Sequence, residues 1–265
     1  MKLGVIGCGN MGRALVGGII EAGLCEAGET FVYDAHPEAS AAMSQKLGVQ
    51  VVESNAAVVE SAEVILLCVK PQVFDEMLSE LGDSADRLLI SIAAGVQIAT
   101  IESGVENRHR VIRVMPNTPA LVGRGASGYA LGTSATEDDA TLTESLLCAV
   151  GFACRVNEAE LDAVTALSGS GPAYVFLLIE SLVAGGIEQG LEPGVALNLA
   201  THTVAGAAEL LLSGIDTPGE LREKVTSPNG TTFAALESFR ADGFAGIVNR
   251  AVKAAADRSR ELGQA

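Results

Sequence analysis

The chain has 265 residues, 48% of them hydrophobic, and carries a net charge of −16. That length and composition support one large domain or two of ordinary size and exclude wholesale disorder. The negative charge argues against nucleic acid or an anionic membrane surface as a partner, so anionic ligands must be held by local dipoles and backbone N–H groups.

Leu3-Gly4-Val5-Ile6 reads as a first strand and Met11–Glu21 as a helix. Between them runs Gly7-Cys8-Gly9-Asn10-Met11-Gly12. In this pattern Gly7 permits a tight turn, Gly9 lets the backbone approach a pyrophosphate, and Gly12 lets helix and strand pack closely. A second strand, Phe31-Val32-Tyr33, ends at Asp34. A carboxylate there accepts hydrogen bonds from the adenosine ribose hydroxyls and repels a 2′-phosphate. The following Ala35-His36-Pro37-Glu38 has no Arg or Lys for that phosphate, so the chemistry leans towards NADH.

Pro37–Leu47 is helical, and strands follow at Val49–Val52, Val64–Val69, Leu88–Ile92 and Val111–Met115. Continuous apolar strands alternating with helices predict an α/β fold, a doubly wound parallel sheet of Rossmann type covered on both faces. Ligands of such sheets sit beyond the carboxyl ends of the strands. Val69-Lys70-Pro71 and Ala93-Ala94-Gly95 therefore border the expected cofactor. Lys70 reads more readily as a solvated helix-start residue than as a catalytic lysine.

Beyond Gly151–Val156 the pattern changes to long helices at 172–189, 194–213, 231–240 and 244–262, punctuated by Gly190, Pro193, Pro218 and Pro228. The expected division is a dinucleotide-binding domain over 1–160 and an all-helical domain over 161–265. Phe176–Val183 and Val204–Leu212 are apolar nearly all round, which calls for a homo-oligomer to cover them. Pro172–Ile187, interrupted by Glu180, is expected to fall short of a membrane span.

Cys8, Cys25, Cys68, Cys148 and Cys154 form no CxxC and no Cys/His cluster, so no metal site is expected and reduced thiols in a cytoplasm fit. No basic segment precedes an apolar run in the manner of a secretory signal. His109 lies in a charged stretch and His202 on a helix face, and both read as structural or solvated.

The remaining motif is Thr226-Ser227-Pro228-Asn229-Gly230-Thr231-Thr232, a hydroxyl-rich loop opening a helix. Free N–H groups and the positive end of the helix dipole make it a pocket for a small carboxylate. A plain helix N-cap at Thr231 or Thr232 is the bland alternative.

With the glycine-rich turn, three blocks resemble the pyrroline-5-carboxylate reductases. They are Met115-Pro116-Asn117-Thr118-Pro119, Ser168-Gly169-Ser170-Gly171-Pro172-Ala173-Tyr174, and Leu221–Thr232, which looks like the family's signature region. The resemblance covers nearly the whole chain in order. It implies NAD(P)H-dependent reduction of 1-pyrroline-5-carboxylate to L-proline, the last step of proline synthesis. It also implies a Rossmann domain followed by a helical dimerisation domain, the homodimer often assembling to a decamer.

Carried over, the family's cofactor contacts fall on Ile6–Met11 (Ile6, Gly7, Cys8, Gly9, Asn10 and Met11), Asn55 and Val69–Pro71, with Asn117 close to the nicotinamide. Its substrate contacts fall on Glu158, Ser227, Thr231 and Thr232. The family's usual Gly-Gly pair is Asn229-Gly230 here, and Asn accepts left-handed backbone angles, so the turn is expected to persist. Many members have a small polar residue near the position of Asp34 and use NADPH well. The cofactor is thus NADPH or NADH, with Asp34 leaning to NADH.

A protonated imine is already a strong electrophile, so its reduction needs no buried His–Asp or Lys base, and the sequence offers no obvious one. Ketone reduction does need a proton donor. Thr232 is expected beside the imine nitrogen, and Ser227 with the Gly230–Thr232 N–H groups around the substrate carboxylate. A 3-hydroxyacid dehydrogenase would need a lysine on the interdomain helix, and Pro172–Gly190 has no Lys or Arg. A non-catalytic NAD(P)H-binding protein is the rival from another class, and the intact Ser227 and Thr232 speak against it.

Overall fold

Short apolar runs rich in Val, Ile and Leu form a sheet because they are too brief for helices and can be buried on both faces. The computed structural model describes residues 1–263. The chain resolves into two compact units, one of Met1–Ser170 plus the C-terminal residues from Ala254, the other of Gly171–Lys253.

The first unit carries a single sheet of eight strands: β1 (Leu3–Ile6), β2 (Thr30–Tyr33), β3 (Gln50–Val51), β4 (Val64–Leu67), β5 (Leu88–Ser91), β6 (Arg110–Met115), β7 (Gly125–Leu131) and β8 (Gly151–Arg155), ordered β3-β2-β1-β4-β5-β6-β7-β8. Strands β1, β4 and β5 are buried along their whole length. Helices α1 (Asn10–Glu21), α2 (Pro37–Leu47) and α6 (Glu137–Cys148) place Leu15, Met43 and Leu146 in the core on one face. On the other, α3 (Asn55–Ser61), α4 (Phe74–Ser79), α5 (Ile98–Gly104) and α7 (Leu161–Val164) bury Val58, Phe74, Ile101 and Leu161.

The parallel register sets Ile6 beside Tyr33 and Leu67, and Leu67 beside Ser91. Gly7, Asp34, Cys68 and Ile92 therefore leave the sheet at one common edge. The expectation of a wholly parallel sheet is corrected at β7, which runs antiparallel to β6. That strand escapes the sequence pattern because its Gly and Ser residues have weak strand propensity. Packing selects them: a Cβ at Gly128 would lie 2.9 Å from Val164 Cγ1, and one at Gly125 3.0 Å from the Val150 carbonyl oxygen. Helix α6 was likewise unmarked by its apolar pattern, although Thr136 and Asp139 form a reciprocal capping box at its start.

The second unit is helical: α8 (Gly171–Glu188), α9 (Pro193–Leu212), α10 (Pro218–Lys224), α11 (Thr231–Ala241) and the first part of α12 (Phe244–Leu262). The units part after Ser170 rather than at 160, because α7 and the π-helical turn Thr165–Gly169 belong with the sheet. The far end of α12 also belongs there, where Ser259 Oγ donates to Asp162 Oδ1 at 2.6 Å. Phe176, Leu177, Leu197, Leu199 and Leu212 are more than half exposed on this single chain. The helical stretches Glu158–Glu188 and Pro193–Leu212 are, by length and composition alone, long and apolar enough to cross a membrane, beyond what was expected of Pro172–Ile187.

His109, just before β6, is buried. Its Nδ1 accepts the Arg87 N–H at 3.1 Å, and its Nε2 has no partner among the described residues. Burial, with the Arg108 and Arg87 charges, lowers its pKa, Arg110 adding to this and Asp86 opposing it. The unfolded chain thus takes up a proton near pH 6.5 that the folded chain refuses, so this contribution to stability is present above that pH and is lost below it. His109→Asn keeps an acceptor for the Arg87 N–H but cannot titrate. The loss of urea-denaturation midpoint from about pH 7.5 to about pH 5.5 should be smaller in the variant than in the parent. An equal loss in both would exclude His109 as its source.

Candidate active site

The glycine turn is built as close packing requires. Gly7 sits at φ +100, and a Cβ there would lie 2.7 Å from the Cys68 backbone. A Cβ on Gly12 would lie 2.5 Å from the Gly7 carbonyl oxygen. Gly9 differs, because nothing lies within 4 Å of where its Cβ would be. Its N-cap position offers α1 no side-chain hydrogen bond, and no acidic residue occupies the first turn. The first N–H groups of α1 are thus left for an anion.

Asp34 fastens this turn. Its Oδ2 accepts the Cys8 N–H at 2.7 Å and its Oδ1 the His36 N–H at 2.9 Å, with His36 Nδ1 at 3.4 Å. Each oxygen has a further lone pair, so bonds to ribose hydroxyls stay open. Burial, reinforced by the Asp34 charge, pushes the Cys8 thiol up to about 12. It remains a thiol, and its Sγ donates weakly to the Tyr33 carbonyl at 3.7 Å.

At the same edge Lys70 and Pro71 are exposed and Val69 is half-buried. Ala93 is buried, Ala94 exposed, and Gly95 turns the chain at φ +80. Asn55 opens α3, where its Nδ2 donates to Glu80 Oε2 at 2.7 Å while its Oδ1 is buried with no partner among the described residues. A hydroxyl or amine of a bound nucleotide is the kind of donor that oxygen lacks.

Asn117 does not offer a free amide. Its Nδ2 donates to the Ser168 carbonyl at 3.0 Å and its Oδ1 accepts the Ala126 N–H at 2.8 Å. A Cβ on Gly169 would lie 2.5 Å from Met115 Cε. Met115 and Asn117 thus meet Gly169 and Ser168, and Asn117 staples the two segments. Glu158 is also pinned: its Oε1 accepts the Ile98 N–H at 2.7 Å and pairs with Arg113 Nη1 at 3.1 Å. Sequence reading passed over Arg113, although a cation in the apolar run Val111–Val114 was the available signal.

In the second unit, α10 ends at Lys224 and the Thr226 hydroxyl donates to the Arg222 carbonyl at 2.6 Å. Asn229 takes the left-handed angles expected of it, at φ 57. The Gly230 N–H donates to the Ser227 carbonyl at 3.0 Å, closing the turn. A Cβ at Gly230 would lie 2.3 Å from Ser227 Oγ, so a side chain there would displace the Ser227 hydroxyl. The bland capping alternative fails, because Gly230 itself is the N-cap and no side chain caps α11. Thr231 is exposed and Thr232 half-buried in a first turn free of acidic residues.

Residues 158–262 match the profile for pyrroline-5-carboxylate reductase dimerisation, and residues 2–95 that for NADP oxidoreductase, coenzyme F420-dependent. The pyrroline-5-carboxylate reductase of Methanosarcina acetivorans is 41% identical over 99% of this chain and 98% of its own. That of Pisum sativum is 40% identical over 98% of this chain and 95% of its own. The Coxiella burnetii pyrroline-5-carboxylate reductase structure superposes with a TM-score of 0.94 at 34% identity, covering 98% of each chain. The Plasmodium falciparum pyrroline carboxylate reductase, solved with NADP bound, gives 0.86 at 30% identity over 99% of this chain and 98% of that one.

The two outer glycines are constrained by the protein and Gly9 is not, so substitutions separate packing from binding. Gly9→Ala should fold with a stability change within about 1 kcal/mol yet weaken NADH and NADPH binding at least about ten-fold by fluorescence titration. Gly12→Ala should lose stability as well. Unchanged nucleotide affinity in Gly9→Ala would refute the cradle.

Proposed function

Because the chain belongs to the pyrroline-5-carboxylate reductase family, we propose that it reduces the C=N bond of 1-pyrroline-5-carboxylate to give L-proline, through the residues assigned here. The observation that carries the assignment is the start of α11. There an uncapped helix N-terminus, a glycine whose bare Cα leaves room for the Ser227 hydroxyl, and the side chains of Ser227, Thr231 and Thr232 occur within one turn.

The nucleotide, NADH or NADPH, supplies the hydride when bound. Ile6–Gly12, with Asp34, Asn55, Val69–Pro71 and Ala93–Gly95, provides backbone N–H groups, polar atoms and open room that fit such a ligand. Asn117 acts as a staple for the loops beside it. Ser227 and the Gly230–Thr232 N–H groups hold the substrate carboxylate, with Thr231 at the same turn. The Thr232 hydroxyl orients the ring nitrogen, and Glu158 presents a carboxylate oxygen to the substrate. Such a carboxylate favours the cationic, protonated imine, which is the electrophilic form. Orientation then supplies much of the rate, and no residue need act as a strong base.

The dimerisation profile over 158–262 and the exposed apolar side chains of α8 and α9 support a homodimer in which a second copy covers these helices. Further assembly to a decamer, a cytoplasmic location, and the lack of nucleic-acid or membrane partners complete the proposal. The surplus of carboxylates and the free thiols of all five cysteines are consistent with it.

Steady-state kinetics test the assignment. Thr232→Ala should lower kcat by about ten-fold or more with little change in KM, and Ser227→Ala should raise KM for pyrroline-5-carboxylate by a similar factor. Wild-type behaviour in both would remove the assigned site. The role of Asp34 is checked by cofactor preference. Asp34→Ser should shift the ratio of kcat/KM values towards NADPH by about ten-fold, and an unmoved ratio would leave Asp34 only its bonds to the Cys8 and His36 N–H groups.

A further inference from the structure

Arg113 is a cation among apolar neighbours. It lies on β6 and shares the sheet face of Val111, Ile98 and Leu161 in the buried core. Only 9% of its side chain is exposed. A guanidinium in such surroundings is strongly unfavourable unless paired, and its ion pair is with Glu158. Replacing a buried ion pair with apolar residues is often neutral or stabilising, so stability alone does not account for this one.

The geometry of Glu158 gives a better account. Both of its bonds, from Arg113 Nη1 at 3.1 Å and from the Ile98 N–H at 2.7 Å, converge on Oε1. Oε2 accepts no hydrogen bond among the described residues. Glu158 begins a short turn ahead of α7, and Ile98 is the first residue of α5, directly after the Gly95–Gln97 segment. The carboxylate is thus held at one oxygen from two different elements, with the other oxygen left over.

We propose that Arg113 is a positioning residue for the reduction: with the Ile98 N–H it fixes Oε1 of Glu158, so that Oε2 meets the substrate in a single orientation. This rests on the reading that Glu158 contacts the substrate. Arg113 itself touches neither substrate nor nucleotide, and its whole effect passes through Glu158. Two anchors on one oxygen leave the carboxylate little freedom to turn away, so the orienting entropy is already lost before substrate arrives.

The test is a kinetic cycle on the full chain with pyrroline-5-carboxylate and each nucleotide. Glu158→Gln keeps Oε1 as acceptor for both anchors and exchanges Oε2 for a donor, so KM for pyrroline-5-carboxylate should rise about ten-fold. Arg113→Met should raise the same KM by a similar factor and leave the nucleotide KM within about two-fold. Arg113→Lys keeps the charge without the planar fork and should recover part of the loss. In the Glu158→Gln background, Arg113→Met should add nothing, the signature of action through one group. An equal rise in both backgrounds, or no rise from Arg113→Met where Glu158→Gln has one, would overturn the inference. If Glu158→Gln leaves KM unchanged, the substrate contact itself fails and the inference falls with it. Should Arg113→Met not fold, Arg113→Lys alone and in the Glu158→Gln background makes the same comparison.

Discussion

A chain with a net charge of −16 that must hold anionic ligands has to do so with backbone N–H groups, and this constraint shapes the starts of two helices. Several of its helices satisfy their starts with their own capping side chains. Thr136 and Asp139 cap α6, Thr217 and Glu220 cap α10, Glu192 caps α9 and Ser54 caps α3. The starts of α1 and α11 are different. Each has a glycine as N-cap, no side-chain hydrogen bond and no acid in its first turn. The sequence motifs mark these two helix starts for a pyrophosphate and a carboxylate.

The same economy applies to polar side chains near the strand ends. Asp34, Asn117 and Glu158 each serve the architecture before any ligand arrives. Asp34 ties the glycine turn, Asn117 staples two loops, and Glu158 anchors the start of α5. A group already bonded on one side can meet a ligand on the other at small entropic cost. An imine substrate suits this arrangement, because its electrophilicity comes with its own proton and leaves the protein the task of orientation.

Much of this was legible in one dimension. The period of apolar residues located the parallel strands and the long C-terminal helices, because burial on both faces of a sheet leaves a run that polar loops cannot mimic. The glycine turn and the loop Thr226–Thr232 were readable because backbone conformation, more than side-chain choice, dictates those residues. Strand β7 was not, since its glycines answer to Val164 and Val150, which are distant in sequence. Arg113 was missed for a similar reason: its meaning lies in Glu158, forty-five positions on.

The sequence by itself determined the fold class, the dinucleotide turn, the carboxylate loop and the family, all of which rest on local pattern and backbone preference. Only the tertiary structure decided how the polar residues are shared. It gave the Asn117 amide to Ser168 and Ala126, one oxygen of Glu158 to Arg113 and Ile98, and the N-cap of α11 to Gly230 rather than to a threonine. Hydrogen bonds between residues far apart in sequence form where packing brings their partners together, and no local pattern records that meeting.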